Sequence, residues 1–307
     1  MAHFSDSEAA RLLRAWNVGR PEPAGEGMEG AVYLLGPDRV AKIWFAHPAP
    51  VVRSMQGFYD ALAAKELPFS TPRIAEVREV GGHTVSVERR IEGTMVKAAV
   101  DAGEISRERA MDMVVAVLTE LAGSGGLPEA RTLGVMGGAG PLWPFIAELV
   151  DLARRRAEQF GGVLAAAVTD FDRKTEALLA RIPEADSGGR TVIHGDLVLP
   201  NLLTTDLAAV HAVLDWGFLT TEGDPAFDAA VAASIFDMYG PDALATELAL
   251  YERIEERFGY PRTDLLVYRA AYSLITANAY DPYGKDGHFA WCAAALNRPD
   301  VVAAIGL

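Results

Sequence analysis

The sequence reads TVIHGDLVLPNLL over residues 191–203, and a second apolar run, AVLDW, follows over residues 212–216. The first run predicts a strand that delivers a His-Gly-Asp turn at Asp196, after which a short loop returns through Asn201. The second run predicts the far strand of a hairpin, and this strand ends at Asp215. Two carboxylates and one amide therefore leave neighbouring strand ends and can converge on a single point.

Asp196, Asn201 and Asp215 together suit phosphoryl transfer. One carboxylate can orient and deprotonate a hydroxyl, while the amide and the second carboxylate can hold Mg²⁺ on the phosphates of a nucleotide. An Asp and an Asn five residues apart are common in ordinary loops, where their side chains bond the backbone. The complete set, with a strand-end Asp nineteen residues after the first Asp, is much less common by accident, so we interpret it as a catalytic set.

The composition excludes several classes of protein. The chain has 307 residues, of which 50% are hydrophobic and 23% charged, so it can form one large or two smaller globular domains. A net charge of −14 disfavours nucleic acid and anionic membranes as partners and is compatible with a cationic substrate. Cys292 is the only cysteine, which rules out an internal disulfide and a thiolate metal cluster. Because we find no export signal and no run of about eighteen apolar residues, we expect a cytoplasmic protein, either a monomer or a homodimer.

Residues 25–45 predict a glycine-rich turn followed by two strands. The return strand carries one lysine, Lys42, which shares a face with Val40 and Trp44, while the other face is entirely apolar. Both faces are therefore expected to be covered, and a lysine in that position needs an anionic partner. Glycines let backbone N–H groups approach phosphates, and a strand-borne lysine can pair the α- and β-phosphates of a nucleotide.

The chain divides into two lobes at a change of pattern. Residues 50–67 predict a helix, and residues 74–90 alternate as a hairpin around a Gly-Gly turn. Beyond Glu92 the pattern becomes helical, so we place an N-terminal lobe at 1–91 and a C-terminal lobe at 92–307. Further helices are predicted over residues 106–122, 142–160, 164–182, 231–239, 243–258 and 264–279, with a last helix ending at Leu296.

This order of elements resembles the aminoglycoside phosphotransferase and choline kinase family. The segments HGDLVLPNLL, VLDWGF and GDPAFD look like the catalytic-loop, metal-loop and helix-opening patterns of that family, and the likeness spans about residues 25–279. The resemblance implies an α+β, two-lobed protein-kinase-like fold. The N-terminal lobe would be a small antiparallel β-sheet with one helix, and the C-terminal lobe would be mainly helical and carry the catalytic loop and the substrate site. It also implies ATP or GTP, with Mg²⁺, as cofactors.

The resemblance assigns a role to individual residues. Asp196 would be the catalytic base, Asn201 and Asp215 the Mg²⁺ ligands, and Lys42 the phosphate-binding lysine. Two residues, His194 and Asp228, would brace the catalytic loop rather than exchange protons. The other nucleotide-binding residues that it implies are Gly27, Met28, Glu29 and Gly30 over the phosphates, and Val32, Ala41, Arg89, Ile91, Leu203 and Leu214 around the adenine, with Arg89 and Ile91 acting through their backbone.

Three positions depart from the pattern of the family. The helix after Lys42 usually offers a Glu to pair with the lysine, but the only acid between Pro50 and Lys65 is Asp60, and Gln56 lies near the expected position. Lys42 is therefore expected to pair with Asp60, with Gln56, or chiefly with nucleotide. Glu29 sits where the glycine-rich turn meets phosphate, so its carboxylate is expected to point away. Val198 occupies a position where the family often has His.

We expect a small-molecule kinase that transfers the γ-phosphate to a hydroxyl of an antibiotic-like substrate, an aminoglycoside or another sugar- or nucleoside-containing natural product, giving resistance by O-phosphorylation. The alternatives are a metabolite kinase acting on choline, an aminoalcohol or a hydroxylated amino acid, and a nucleotide-binding module with weak catalysis. A protein kinase is disfavoured, because only a short stretch separates Asp215 from the Gly-Asp-Pro turn at residues 223–225. The candidate substrate-binding acids and rings are Glu222, Asp237, Tyr280, Asp281, Tyr283, Asp286 and Trp291.

Overall fold

The computed structural model describes residues 4–16, 21–27, 29–136 and 139–307. This part of the chain forms two compact units. The first unit contains the described residues up to Thr94 together with Leu203–Leu214, and the second contains Met95–Leu202 and Asp215–Leu307. The segment that carries Leu203 and Leu214 therefore belongs to the same unit as Lys42.

A five-stranded antiparallel sheet forms the centre of the first unit. Its strands are β1 (Glu22–Glu26), β2 (Gly30–Leu34), β3 (Arg39–Trp44), β4 (Ile74–Val80) and β5 (His83–Arg89), in the spatial order β1-β2-β3-β5-β4. The sequence does not predict β1, which begins within Pro21-Glu-Pro23. All five residues of β1 are exposed, so this edge strand carries no apolar signal.

Helix α1 (Asp6–Leu13) covers one face of this sheet. The Ser5 hydroxyl accepts a hydrogen bond from the Glu8 N–H, and the Glu8 carboxylate accepts one from the Ser5 N–H, which closes a capping box at the start of the helix. Leu12 and Leu13 are fully buried against the sheet, and burial of a leucine side chain contributes about 1.5–3 kcal/mol. The sheet residues in this core are Ala31, Tyr33, Leu35, Ala41, Ile43, Val85 and Val87.

Helix α2 (Ala49–Ala63) packs against β4 and β5. It buries Val52, Phe58 and Leu62. The helix ends four residues before the predicted end at residue 67, because Glu66 adopts a left-handed backbone (φ +53°) just ahead of Pro68.

The segment at residues 191–216, which contains Asp196 and Asp215, is built on short strands. Strands β6 (Thr94–Met95), β8 (Leu202–Thr204) and β9 (Ala212–Val213) form a three-stranded sheet in the order β6-β8-β9. In the second unit, β7 (Thr191–Ile193) pairs antiparallel with β10 (Thr221–Gly223).

The second unit is otherwise helical and packs around one buried helix. Its helices are α3 (Val96–Asp101), α4 (Arg107–Gly123), α5 (Phe145–Ala167), α6 (Phe171–Arg181), α7 (Pro225–Ile235), α8 (Ala243–Phe258), α9 (Arg262–Thr276), α10 (Gly287–Leu296) and α11 (Pro299–Ala304). Every residue of α9 from Leu265 to Thr276 is buried, and α5, α7, α10 and α11 all contact it. Among the described residues, no helix is long and apolar enough to cross a membrane.

Helix α5 shows where the helix predictions are wrong. The sequence predicts a break between residues 160 and 164, but α5 continues through Gly161 and Gly162 to Ala167. Each helical glycine costs about 1 kcal/mol, which the packing of a long amphipathic helix offsets. The chain turns instead at Asp170, whose backbone is left-handed (φ +51°). The larger prediction, an α+β fold with an antiparallel sheet followed by a mainly helical part, is confirmed.

Candidate active site

A glycine turn after β7 aims Asp196. Gly195 has a positive φ of +76°, and a Cβ at this position would lie 2.5 Å from the Cβ of Leu219, so only glycine fits. The ring of His194 is buried and lies 4.5 Å from the ring of Trp216, centroid to centroid. The backbone before Asp196 is thus fixed by close packing on both sides of the turn.

Asp228, in the first turn of α7, holds this turn through the backbone. Its Oδ2 accepts a hydrogen bond from the His194 N–H at 2.9 Å, and its Oδ1 accepts one from the Gly195 N–H at 2.8 Å. The Asp196 N–H in turn donates to Nδ1 of His194 at 3.2 Å. Burial raises the pKa of the Asp228 carboxyl, while His194 and the two N–H donors oppose that rise. Both oxygens of Asp228 are committed to the backbone, so this residue positions the loop.

Asp196 lies in an environment that suits a proton acceptor. Burial, followed by the charges of Asp215 and Asp228, raises the pKa of Asp196 to about 7. A carboxylate with a pKa near neutrality can take a proton from a hydroxyl more readily than an ordinary one. Asp215, whose charge contributes to this raised pKa, belongs to the same unit as Asp196.

Asn201 and Asp215 fit Mg²⁺ that arrives with a nucleotide. Nδ2 of Asn201 donates to the backbone carbonyl of Asp196 at 3.0 Å, so the amide offers Oδ1 as its ligand atom. Asp215 is exposed and has a left-handed backbone (φ +60°), a strained conformation typical of functional sites. An amide oxygen and a carboxylate oxygen are hard ligands of the kind that Mg²⁺ prefers, with phosphates and water completing its shell. Within the described ranges no group of three His, Cys, Asp or Glu residues would hold a metal by itself.

Lys42 has a different partner from those predicted. Its Nζ lies 3.0 Å from Oε2 of Glu29 and 3.8 Å from the ring centroid of Trp44. The carboxylate of Glu29 therefore points towards the amine of Lys42, and its orientation relative to bound phosphates stays a prediction. This ion pair lies on the face of β3 that Lys42 shares with Trp44.

The two predicted partners of Lys42 are engaged elsewhere. Nε2 of Gln56 donates to the backbone carbonyl of Ile74 at 2.9 Å. The carboxylate of Asp60 lies 3.8 Å from the guanidinium of Arg73. The prediction that Lys42 pairs with Gln56 or Asp60 is therefore wrong for this structure.

Ala41 lies on the wrong face of the sheet for the nucleotide-lining role predicted for it. Ala41 is fully buried in the core beneath α1, whereas Lys42 projects from the opposite face. Val32 pairs directly across from Lys42 and therefore shares its face. Val40, two residues before Lys42, also shares that face and replaces Ala41 as the candidate.

The glycine-rich turn is tied closely to β3. The Gly27 N–H donates to the Gly30 carbonyl at 3.0 Å, and the Phe45 N–H donates to the Glu29 carbonyl at 2.9 Å. A Cβ on Gly30 would lie 2.5 Å from the carbonyl oxygen of Ile43, so Gly30 permits this close approach of the strands. Met28, predicted to lie over the phosphates, is outside the described residues.

The residues predicted around the adenine are only partly available. The Arg89 N–H donates to the Arg73 carbonyl at 3.1 Å, so this N–H cannot serve an adenine ring as predicted. Arg89 and Ile91 line an open cavity of about 670 Å³ in the first unit. Leu203 is buried and Leu214 is half-buried in the same unit.

The four acids predicted to bind substrate are engaged in internal contacts. Glu222 is buried, and its Oε1 accepts a hydrogen bond from Arg131 at 2.9 Å. Asp237 pairs with Arg107. The remaining contacts are to backbone N–H groups: Asp281 accepts from Tyr283 and Lys285, and Asp286 accepts from Phe289 as the N-cap of α10.

The three predicted substrate rings differ in position. Tyr280 is half-exposed and lies parallel to Phe218, which precedes Leu219, the residue that packs against Gly195. Burial followed by the charge of Asp196 raises the pKa of Tyr280 to about 12. Tyr283 is 72% exposed, with the Lys285 amine 5.6 Å from its ring. One face of Trp291 is covered by the guanidinium of Arg269 at 3.8 Å. Of the three, Tyr280 is the ring that the structure brings to Asp196.

Two rings beside Tyr280 are not found by the sequence analysis. Phe218 lies nearly parallel to Tyr280, with an interplanar angle of 7° and ring centroids 6.5 Å apart. Tyr272, buried in α9, also feels the charge of Asp196. Phe218 stands directly after the Asp-Trp-Gly segment, which is a signal that the sequence did contain, whereas Tyr272 looks like any other apolar position of a buried helix.

Comparison with known protein families gives one match. The profile of the phosphotransferase enzyme family matches residues 21–266. The chain belongs to this phosphotransferase family. The resemblance inferred from the sequence is thereby confirmed, although no curated protein matches this phosphotransferase in a search of whole sequences.

Solved structures share the fold of this phosphotransferase at low identity. One is aminoglycoside phosphotransferase APH(3'')-Id of Streptomyces rimosus with ADP and streptomycin (20% identity, TM-score 0.59, covering 92% of this chain and 100% of that one). Another is the GDP complex of aminoglycoside 2'-phosphotransferase-IIIa (13%, 0.58, 96% and 97%). A third is macrolide 2'-phosphotransferase type I (17%, 0.53, 97% and 99%). At these identities the likeness shows the fold alone.

Proposed function

We propose that this phosphotransferase transfers the γ-phosphoryl group of a Mg²⁺-bound nucleoside triphosphate, ATP or GTP, to a hydroxyl of a small molecule. The observation that carries the proposal is the turn at Asp196. Its backbone is held by Asp228 and Asn201, and burial followed by the charges of Asp215 and Asp228 raises the pKa of its carboxyl to about 7. Residues 1–91 would bind the nucleotide, with Lys42 on its phosphates, and residues 92–307 would bind the acceptor.

The chemistry follows from the position of these groups. Asp196 orients the acceptor hydroxyl and takes its proton while the hydroxyl oxygen bonds to the γ-phosphorus and the bond to the β–γ bridging oxygen breaks. Mg²⁺, when bound, neutralises the charge that develops on the phosphates. Asn201 and Asp215 would hold the metal ion, and with it the phosphates, in line with the acceptor hydroxyl. Positioning and electrostatics would therefore supply most of the rate enhancement.

The acceptor that we propose is a hydroxylated antibiotic-like molecule, so that the protein would give resistance by O-phosphorylation. Support comes from the family and from the structural neighbours, which include an aminoglycoside phosphotransferase and a macrolide 2'-phosphotransferase. Those substrates belong to the neighbours, and the screen below decides the acceptor of this chain.

The test is a nucleotide-consumption screen against hydroxylated antibiotics, aminoalcohols and nucleosides. Asp196→Asn is expected to lower kcat by about 10²–10⁴-fold. That variant should still bind Mg²⁺-nucleotide, as measured by the rise in melting temperature when nucleotide is added. The matched control is Asp172→Asn, which changes an exposed acid in the first turn of α6 and should leave kcat unaltered. Undiminished turnover in Asp196→Asn would rule out the assignment of the base.

A further inference from the structure

Aromatic side chains stand beside the catalytic acid in the second unit. Phe218 precedes Leu219 and Thr220, which contact the turn that carries Asp196: the Cβ of Leu219 lies 2.5 Å from where a Cβ on Gly195 would lie, and the Thr220 hydroxyl donates to the His194 carbonyl at 2.8 Å. Burial and then the charge of Asp196 raise the pKa of both Tyr272 and Tyr280. Tyr272 is buried, whereas Tyr280 is 48% exposed. Phe218 lies nearly parallel to Tyr280, at an interplanar angle of 7°. An exposed ring face is therefore available next to the base.

Three of the acids predicted to bind substrate are engaged in internal contacts, and of their buried oxygens Oε2 of Glu222 has no hydrogen-bond partner among the described residues. Glu222 and Asp237 are each paired with an arginine, and Asp281 already accepts two hydrogen bonds from its own loop. A substrate that drew Glu222 away would leave the guanidinium of Arg131 partly buried without its carboxylate, which is costly. The net charge of −14 favours a cation only where carboxylates are free to meet it.

Asp286 offers one acceptor atom at most. Its Oδ1 caps α10 by accepting the Phe289 N–H at 2.7 Å. Its Oδ2 is buried and has no hydrogen-bond partner among the described residues. One covered oxygen can serve a single donor, such as one hydroxyl or one amine, and cannot serve an array of ammonium groups.

We propose that the acceptor is a ring-bearing hydroxyl compound with at most one amino group, whose ring stacks on Tyr280 beside Phe218 while its hydroxyl faces Asp196. This inference rests on the proposed function and narrows its substrate class. Stacking on an aromatic face suits nucleosides, aromatic glycosides and glycosylated macrocycles better than polyamino sugars, which bind through carboxylates.

The first experiment measures kcat/KM for the intact protein with two matched sets of acceptors. One set contains nucleosides, aromatic glycosides and glycosylated macrocyclic lactones, and the other contains polyamino sugars of similar size. We expect the best ring compound to exceed every polyamino sugar by at least about tenfold. Its kcat/KM should also change less than about twofold between roughly 50 and 300 mM salt, because screening acts on charged partners.

The second experiment tests the ring itself. Tyr280→Ala should raise KM for the ring acceptor by about 3- to 10-fold, the range expected for one lost aromatic contact, without altering Kd for Mg²⁺-nucleotide. Tyr280→Phe keeps the ring and should stay within about twofold of wild type. The control is Tyr260→Ala, which should leave KM for the ring acceptor unaltered. Tyr260 stacks on Phe258 in the same parallel way (ring centroids 5.3 Å apart, interplanar angle 5°), but burial and then the charge of Asp224, rather than that of Asp196, raise its pKa.

The outcomes separate this inference from the proposed function. Turnover of a polyamino sugar above all ring compounds, with a steep loss in salt, would overturn the inference and leave the kinase function intact. An equal KM in Tyr280→Ala and wild type would also overturn it. If no acceptor of either set is phosphorylated in an Asp196-dependent way, the proposed function fails, and the inference fails with it.

Discussion

The turn at Asp196 and the strand that carries Lys42 are held in different ways. Both oxygens of Asp228 bond buried backbone N–H groups of the turn. Lys42, in contrast, meets Glu29 through one side-chain pair, with 18% and 31% of the two side chains exposed. Buried hydrogen bonds to a charged group contribute about 1.5–3 kcal/mol each, while exposed ion pairs contribute about 0–1 kcal/mol. The turn at Asp196 is therefore preorganised, whereas Lys42 can exchange its contact with Glu29 for another anion more easily.

The largest expected effect comes from removing the brace of the turn. Asp228→Ala leaves two buried N–H groups without acceptors, which should lower the free energy of unfolding by about 3–5 kcal/mol and reduce kcat. Asp228→Asn retains one acceptor oxygen and should lose about half as much. Urea unfolding, with kcat measured on the folded fraction, checks both values.

An exposed acid that also accepts two backbone N–H bonds, both through its Oδ1, supplies the control. Asp206 also accepts two backbone N–H bonds, from Ala208 and Ala209, but it lies at the surface. Asp206→Ala should therefore cost less than about 1 kcal/mol. Equal losses in the Asp228 and Asp206 variants would contradict the view that burial makes the brace strong.

The second effect is a dependence of stability on pH. Burial and the charges of Asp215 and Asp228 raise the pKa of Asp196 from an ordinary 3.8 to about 7 in the folded protein, so the unfolded chain releases this proton first. The ionised carboxylate therefore costs stability, and this cost grows from about pH 4 to pH 7 and then stays constant. In EDTA, Asp196→Asn should be more stable than wild type by a few kcal/mol above pH 7, with the difference vanishing near pH 4. Urea melts across this range measure it.

Mg²⁺ provides the counter-test for this pH dependence. A cation bound at Asp215 offsets the repulsion that contributes to the raised pKa of Asp196. Added Mg²⁺ should therefore reduce the difference in unfolding free energy between Asp196→Asn and wild type. If the difference in unfolding free energy between the two proteins is the same at pH 4.5 and pH 8 in EDTA, ionisation of Asp196 does not destabilise the fold.

The same contrast explains what the sequence could and could not predict. The turn at Asp196 is local: Gly195 fixes the backbone, and Asn201 follows only five residues later, so spacing alone indicates the site. The contact of Lys42 with Glu29 depends on how the glycine-rich turn folds back over β3, which no periodicity reveals. The choice of Ala41 is a different error, because alternation along the strand already placed Val40 on the face of Lys42.

Two misses in the fold have simpler causes. Strand β1 is exposed at every residue, so it carries neither an apolar run nor an alternation to detect. Helix α5 runs through Gly161 and Gly162 because tertiary packing outweighs their low helix propensity. By contrast, helix α8 was predicted with the correct ends, since its amphipathic pattern runs up to a left-handed glycine, Gly259.

The smallest effect tests whether the contact of Lys42 is exchangeable. Glu29 holds the ammonium that phosphates would need, and its charge would repel them. Glu29→Gln should therefore lower Kd for Mg²⁺-ATP by about 2- to 5-fold, measured by calorimetry, and alter the unfolding free energy by less than about 1 kcal/mol. Asp60→Asn is the control, because Asp60 contacts Arg73 rather than Lys42, and its Kd should match wild type. A weaker Kd in Glu29→Gln would mean that Glu29 positions the lysine for nucleotide instead of competing with it, and the contrast between a fixed turn and an exchangeable lysine would then fail.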